Sequence, residues 1–261
     1  MLIFREEQVS NPSNREMLEN RVKRRTKRAI KGEESKRIRS PRYFNISEDF
    51  MTGCELYDLG WIKYYWCPQV YKPSDDTLLL IEIVEHANVG SSRILEIGTG
   101  TGIVLAYILS NTYSYGVGID INPIATYNTY ITLKLNNLND RAEVLNCDTV
   151  SCIRKGTVFD IILYNPPYLI GEPQPNNYYD LAELGGSEGI NNLESTLRKL
   201  LLNKNVGLET TIYVIIAEPP PIENTIRRLQ ELGFNAKILK TKHFFYEKIH
   251  GVKLEVKNIE D

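Results

Sequence analysis

The sequence predicts an α/β protein: a doubly wound, mostly parallel sheet of seven strands with helices on both faces. Short apolar runs alternate with longer segments of helical periodicity, the signature of repeated strand–helix units. One run, Arg93 to Ile97, leads directly into Gly98-Thr99-Gly100-Thr101-Gly102 and then a helix, the first unit of such a sheet. Another, Ile161 to Tyr164, stops at Asn165-Pro166-Pro167-Tyr168.

A chain of 261 residues, 42% of them hydrophobic, is long enough to bury a substantial core. No apolar run approaches the roughly 18–20 residues that span a bilayer, and the N-terminus lacks the apolar centre of a signal peptide. A cytoplasmic protein is the expectation. The net charge of −2 conceals an uneven distribution. Between Arg15 and Arg42 stand 12 Lys and Arg against 4 Glu, a balance of +8, which leaves −10 for the remainder. Residues 1–45 therefore read as a basic extension, disordered or loosely helical, and 46–261 as the folded domain. Such a stretch suits contact with nucleic acid or the ribosome, and it equally suits a solvated tail. Cys54, Cys67, Cys147 and Cys152 form no C-x2-C pair and have no neighbouring histidine pairs, so they read as buried thiols, neither a zinc site nor a disulfide framework.

Leu56 to Tyr71 is rich in aromatic residues, with Gly60 as a break, and predicts a hairpin leading into the main domain. A helix follows over Leu78 to Val84; Pro73 and Ser74 mark its start, and Asp75 and Asp76 favour its positive first turn. After the Arg93–Ile97 strand and its glycine turn, a helix runs from Ile103 to Leu109. Gly98, Gly100 and Gly102 let a ligand approach the backbone closely. The dinucleotide fingerprint would need a further glycine where Ile103 stands, so pyrophosphate is disfavoured and a phosphate-free cofactor such as S-adenosylmethionine fits better.

The next strand, Tyr115 to Ile119, ends in Asp120, an acid placed to accept both hydroxyls of a ribose. Asn122-Pro123 opens a helix to about Leu135. Ala142 to Leu145 is a strand ending at Asn146-Cys147-Asp148, and Asp148 is a candidate for an adenine amino group. Glu96, Asp120 and Asp148 thus stand at three successive strand ends. The strand before Asn165 is apolar throughout, as expected in the middle of a parallel sheet. Proline cannot extend a ladder and holds the residue before it extended, so Asn165 sits just past the strand's carboxyl end, where such sheets bind ligands. Its carboxamide and the ring of Tyr168 can grip a flat amino group.

Gly171 to Leu184 is polar and proline-containing, long enough for a substrate lid. Gly185-Gly186-Ser187-Glu188-Gly189 matches the G-x-S-x-G pattern, but no strand reads directly before it, and neither His243 nor His250 has an obvious acid partner upstream in the sequence, so a serine hydrolase is set aside. A helix near Leu193 to Leu202, a strand from Thr211 to Ala217, a helix from Pro219–Pro221 to Leu232, and strands at Ala236–Lys240 and Val252–Val256 complete the sheet.

Asn165-Pro166-Pro167-Tyr168 resembles the signature of class I methyltransferases that act on exocyclic or amide nitrogens. That group includes the HemK-type protein-glutamine methyltransferases and the adenine-N6 methyltransferases of DNA and RNA. Pro73-Ser74-Asp75-Asp76-Thr77-Leu78-Leu79-Leu80 is similar to the segment before the cofactor domain in the archaeal and eukaryotic HemK-like branch, and the Gly185–Gly189 loop resembles that family's substrate-side loop. The resemblance covers Val70 to Val256 and implies the Rossmann-like class I sheet with S-adenosyl-L-methionine as cofactor. By that resemblance Thr77, Glu96, Gly98, Gly100, Gly102, Asp120, Asp148 and Asn165 are candidates for cofactor binding. Asn165, the carbonyl of Pro166, and Tyr168 would hold the acceptor nitrogen, with no metal required. The implied acceptor is the glutamine amide of a translation release factor, with a small zinc-binding activator as partner. Adenine-N6 methylation stays open, because an adenine amino group and a carboxamide look alike to such a site.

Overall fold

The computed structural model describes residues 52–85, 87, 89–174, 177–244 and 248–257. The extension expected over residues 1–45, and its boundary with the domain, lie outside the described residues.

The chain begins with an antiparallel hairpin, β1 (Glu55–Asp58) and β2 (Lys63–Trp66), with Glu55 opposite Trp66. Then follow α1 (Asp75–Glu85), β3 (Arg93–Ile97), α2 (Ile103–Asn111), β4 (Tyr115–Asp120), α3 (Pro123–Leu135), β5 (Ala142–Asn146) and β6 (Ile161–Tyr164). The last third contains α4 (Tyr178–Glu183), α5 (Asn191–Leu202), β7 (Thr211–Glu218), α6 (Ile222–Glu231), β8 (Phe234–His243) and β9 (Lys248–Val256).

Seven strands form one sheet in the order β5-β4-β3-β6-β7-β9-β8. The first five positions pair in parallel, while β9 runs antiparallel to both of its neighbours. Successive residues point to opposite faces, as the strand period of two requires. Ile94, Ile161, Leu163, Tyr213 and Ile215 join the core beneath α1 and α2. Leu95, Ile97, Ile162, Val214 and Ile216 join the core beneath α5 and α6. Because both faces are covered, the central strands carry no polar alternation. From β3 the chain winds outward to β5, then returns to β6 on the other side of β3. The carboxyl ends of β3 and β6 therefore flank the switch in winding direction, where open α/β sheets leave a crevice.

The hairpin is tied to α3 rather than to the sheet. Tyr65 N–H donates to Thr132 Oγ1 at 3.0 Å, and Asn136 Nδ2 donates to the Lys63 carbonyl at 2.6 Å. Asn122 caps α3 through its Oδ1, which accepts from Ile124 N–H at 2.9 Å, and its Nδ2 donates to the Gln69 carbonyl at 2.9 Å. These contacts lay the segment after the hairpin across the crevice.

The structure differs from the sequence reading in three places. The cysteines are not thiols: Cys54 pairs with Cys67 and Cys147 with Cys152. The hairpin brings the first pair together across its base, Cα to Cα 4.1 Å, and a turn after β5 brings the second to 6.0 Å; neither approach shows in the spacing alone. The segment read as a featureless lid contains the short helix α4, capped by Asn177, whose side chain accepts from Tyr179 N–H at 3.1 Å. None of its residues is buried, so it has no apolar period to reveal it. Strands β8 and β9 also run longer than expected, because Lys and Thr on the outermost strand interrupt the apolar pattern.

Ile162 is fully buried in the centre of β6. Replacing it with alanine should cost about 2–5 kcal/mol, measured as a lower urea midpoint with an unchanged slope.

Candidate active site

A cleft of about 370 Å³ opens over the carboxyl ends of β3, β4, β5 and β6. Its floor is the turn after β3. Gly98 and Gly100 have left-handed backbones, at φ +66° and +54°, and a Cβ on Gly98 would meet nothing within 4 Å. That position opens into the cleft. Gly102 is different: a Cβ there would lie 2.7 Å from Thr129 Cγ2 and 2.9 Å from Thr129 Cα. It lets α2 begin against α3, and it is absent from the cleft lining.

All three strand-end acids line the cleft. Glu96 accepts a hydrogen bond from Thr99 Oγ1 at 2.7 Å, yet burial pushes its carboxyl up to about 8. Asp120 accepts from Gly100 N–H and Asn122 N–H, both at 2.9 Å; burial outweighs these bonds and raises it to about 6. Asp148 lies at the open end, where Lys199 reaches it at 3.4 Å and Thr149 Oγ1 at 3.1 Å.

On the other side stands Asn165. Its Nδ2 donates to Asp76 Oδ2 at 2.9 Å, while its buried Oδ1 has no hydrogen-bond partner among the described residues. The orientation of the amide follows from chemistry, since a carboxylate accepts only and must face the NH2 end. Tyr71 and Tyr168 hydroxyls donate to the same Asp76 oxygen at 2.9 and 3.2 Å. Burial, followed by the charge of Asp76, pushes the Tyr71 phenol well above its ordinary value and keeps it a donor. The second oxygen of Asp76 accepts from Thr77 N–H at 2.6 Å and Thr77 Oγ1 at 3.2 Å. Pro166, Tyr168 and Thr77 line the cleft with Asn165. Behind them, a Cβ on Gly185 would lie 2.5 Å from the Pro167 carbonyl oxygen and one on Gly189 2.6 Å from that of Tyr168. The glycine loop is thus a close-packed support for the Asn-Pro-Pro-Tyr backbone.

Residues 72–180 match the family described as Methyltransferase small domain. A Methanocaldococcus jannaschii protein named as an N5-glutamine methyltransferase is 29% identical over 185 residues, 70% of this chain and 90% of that protein. Methyltransferase HEMK2 of Homo sapiens is 30% identical over 127 residues, 46% of this chain and 59% of its own length. The chain is a methyltransferase similar in sequence to these proteins. Among solved structures, the E. cuniculi Mtq2–Trm112 complex, responsible for methylation of the eRF1 translation termination factor, superposes with a TM-score of 0.53. It is 19% identical and covers 73% of this chain and 99% of its own, a likeness of fold.

The cofactor of this methyltransferase is S-adenosyl-L-methionine, and the residues present fit it. Asp76, Glu96, Asp120, Asp148 and Glu183 line the cleft, and among the described residues no lysine or arginine does. A lining of acids suits a ligand with a positive sulfonium and ammonium and no phosphate. The floor opened by Gly98 leaves room for it.

The methyltransferase brings together every expected site residue except Gly102, whose place is in helix packing. Two contacts are not legible in the sequence. The segment from Pro73 to Leu80 reads as lying over a ligand, and it does line the cleft, but nothing local distinguishes the buried Asp76 from the exposed Asp75 in the same helix first turn. Tyr164 donates to Asn192 Oδ1, and both line the cleft, but an apolar-looking strand end concealed that contact.

Burial of Glu96 has a consequence for stability. Below about 4.5 both the folded and unfolded chains keep its proton. From there to about 8 the unfolded chain is ionised while the folded chain holds the proton. Folding must then take up a proton, so the free protein should lose stability as pH rises, by about 1.4 kcal/mol per pH unit for one such group. Urea unfolding across this window should show the fall, with a flatter profile in Glu96→Gln.

Proposed function

We propose that this methyltransferase transfers the methyl group of S-adenosyl-L-methionine to the side-chain amide nitrogen of a glutamine in a peptide chain release factor, and so acts in translation termination. The observation that carries the reading is the bare, buried Oδ1 of Asn165 in the cleft. A buried acceptor without a partner costs free energy unless a ligand satisfies it. An amide NH2 would do so.

In this reading Asn165 Oδ1 accepts one N–H of the glutamine amide and the Pro166 carbonyl accepts the other. Both bonds draw on the N–H protons, raise electron density on nitrogen, and stabilise the positive charge that develops there. The Tyr168 ring fixes the amide plane. Asp120 would accept the ribose hydroxyls of the cofactor and Asp148 its adenine amino group, with Glu96 and Thr77 beside the methionine end and Gly98 and Gly100 beneath. The bound cofactor supplies an already activated methyl group, so the chain's task is alignment of the acceptor.

Glutamine is favoured over adenine by charge. A nucleic acid would bring its phosphates to a cleft lined by five acids and, among the described residues, no basic side chain, against the electrostatics that nucleic-acid binding relies on. The relatives named for glutamine methylation support the same choice. A small activator subunit belongs to the proposal, in keeping with the Mtq2–Trm112 complex of E. cuniculi, and the basic stretch from Arg15 to Arg42 suits a substrate met near ribosomal RNA.

Asn165→Ala should lower kcat on the release factor about 10²–10³-fold, a larger loss than any in cofactor affinity. Transfer of labelled methyl groups and calorimetry check the two parts. An Asn165→Ala enzyme that keeps its rate would sink the reading.

A further inference from the structure

We infer that Asp76 is the positioning residue of this active site: its carboxylate holds Asn165 so that the amide oxygen, and not the amide NH2, is presented to the acceptor nitrogen. The inference rests on the reading of Asn165 given above and extends it to a residue of the cleft lining that was given no bond to the acceptor or the cofactor in that scheme.

Asp76 is 3% exposed, whereas Asp75 beside it is exposed. No lysine or arginine pairs with it among the described residues; its charge is met by hydrogen-bond donors instead. Tyr71, Asn165 and Tyr168 converge on Oδ2, and the Thr77 backbone N–H and hydroxyl on Oδ1. Two of these donors, Asn165 and Tyr168, are the groups assigned to grip the acceptor. They lie 89 and 92 residues further along the chain, so the lead-in segment before β3 sets the geometry at the end of β6.

Without the carboxylate, the Asn165 amide has no reason to prefer one face. Rotated by half a turn it would offer NH2 to NH2, two donors facing each other, and transfer would stop. A neutral isostere cannot replace the acid. Asparagine at 76 has one oxygen, but donors approach from both sides, so either the Asn165–Tyr168 side or the Thr77 side would meet another N–H.

The test uses the full chain in three forms, wild type, Asp76→Asn and Asn165→Ala, with the double variant. The Asn165 side-chain NH2 resonances are identified in 15N spectra as the pair missing from Asn165→Ala. In Asp76→Asn that pair should shift and exchange faster with solvent. The fall in kcat, roughly 100-fold, the scale of a small misplacement at a reacting centre, should exceed any fall in affinity for S-adenosyl-L-methionine. On the Asn165→Ala background the same change should cost less than about threefold, because its target is gone. Unchanged Asn165 resonances in Asp76→Asn would overturn the inference whatever the acceptor is. So would a loss of cofactor affinity in step with the rate, which would make Asp76 a cofactor ligand. Wild type that methylates no glutamine, with the resonance shift intact, would fail the proposed acceptor and leave the positioning role standing.

Discussion

A hydrogen bond from Asn165 to Asp76 joins the two walls of the cleft, and it exists because β6 ends where it does. Two prolines after Asn165 prevent the strand from continuing, and the parallel pairing with β3 holds Ile97 level with Tyr164. The carboxamide is thereby delivered beside the glycine turn. The opposite wall is not part of the sheet at all. It is the segment between the hairpin and α1, held down by Asn122 and by the contacts of β2 with α3. The hairpin, which carries no catalytic group, therefore matters to the site through the placement of Asp76.

The electrostatics follow from the same architecture. Parallel strands direct their carboxyl ends to one edge, and three of them end near acids. Burial raises Glu96 to about 8 and Asp120 to about 6, so part of the cleft charge is latent near neutral pH. A cationic ligand would draw these groups into their ionised forms. In the free protein burial disfavours the ionised forms that a cationic ligand would favour, and no lysine or arginine among the described residues lines the cleft to receive a phosphate. In the proposed reading the same balance of charge favours a glutamine side chain over a nucleic acid as acceptor.

Much of the sheet was legible because buried parallel strands leave a plain mark: apolar runs at β3, β6 and β7, each bounded by a glycine, proline or acid. The site was legible where its chemistry depends on local sequence, in the glycine turn and the Asn-Pro-Pro-Tyr stretch. It was not legible where it depends on contacts between distant segments. Asp76 looks like any acid in a helix first turn until Asn165 arrives from the far side of the sheet. Gly102 looks like its two neighbours in the turn, and only the approach of Thr129 assigns it to packing. The cysteine pairs depend on the closing of a hairpin and of a turn, and α4 depends on a cap without any buried face.

The most direct test of the account is to locate the transferred methyl group. Wild-type enzyme, S-adenosyl-L-methionine, a release factor and total RNA would be incubated together, with and without a candidate activator subunit, and the products mapped by tandem mass spectrometry. The account requires a single added methyl on the side-chain nitrogen of a release-factor glutamine. Methyl groups found only on adenine would contradict it.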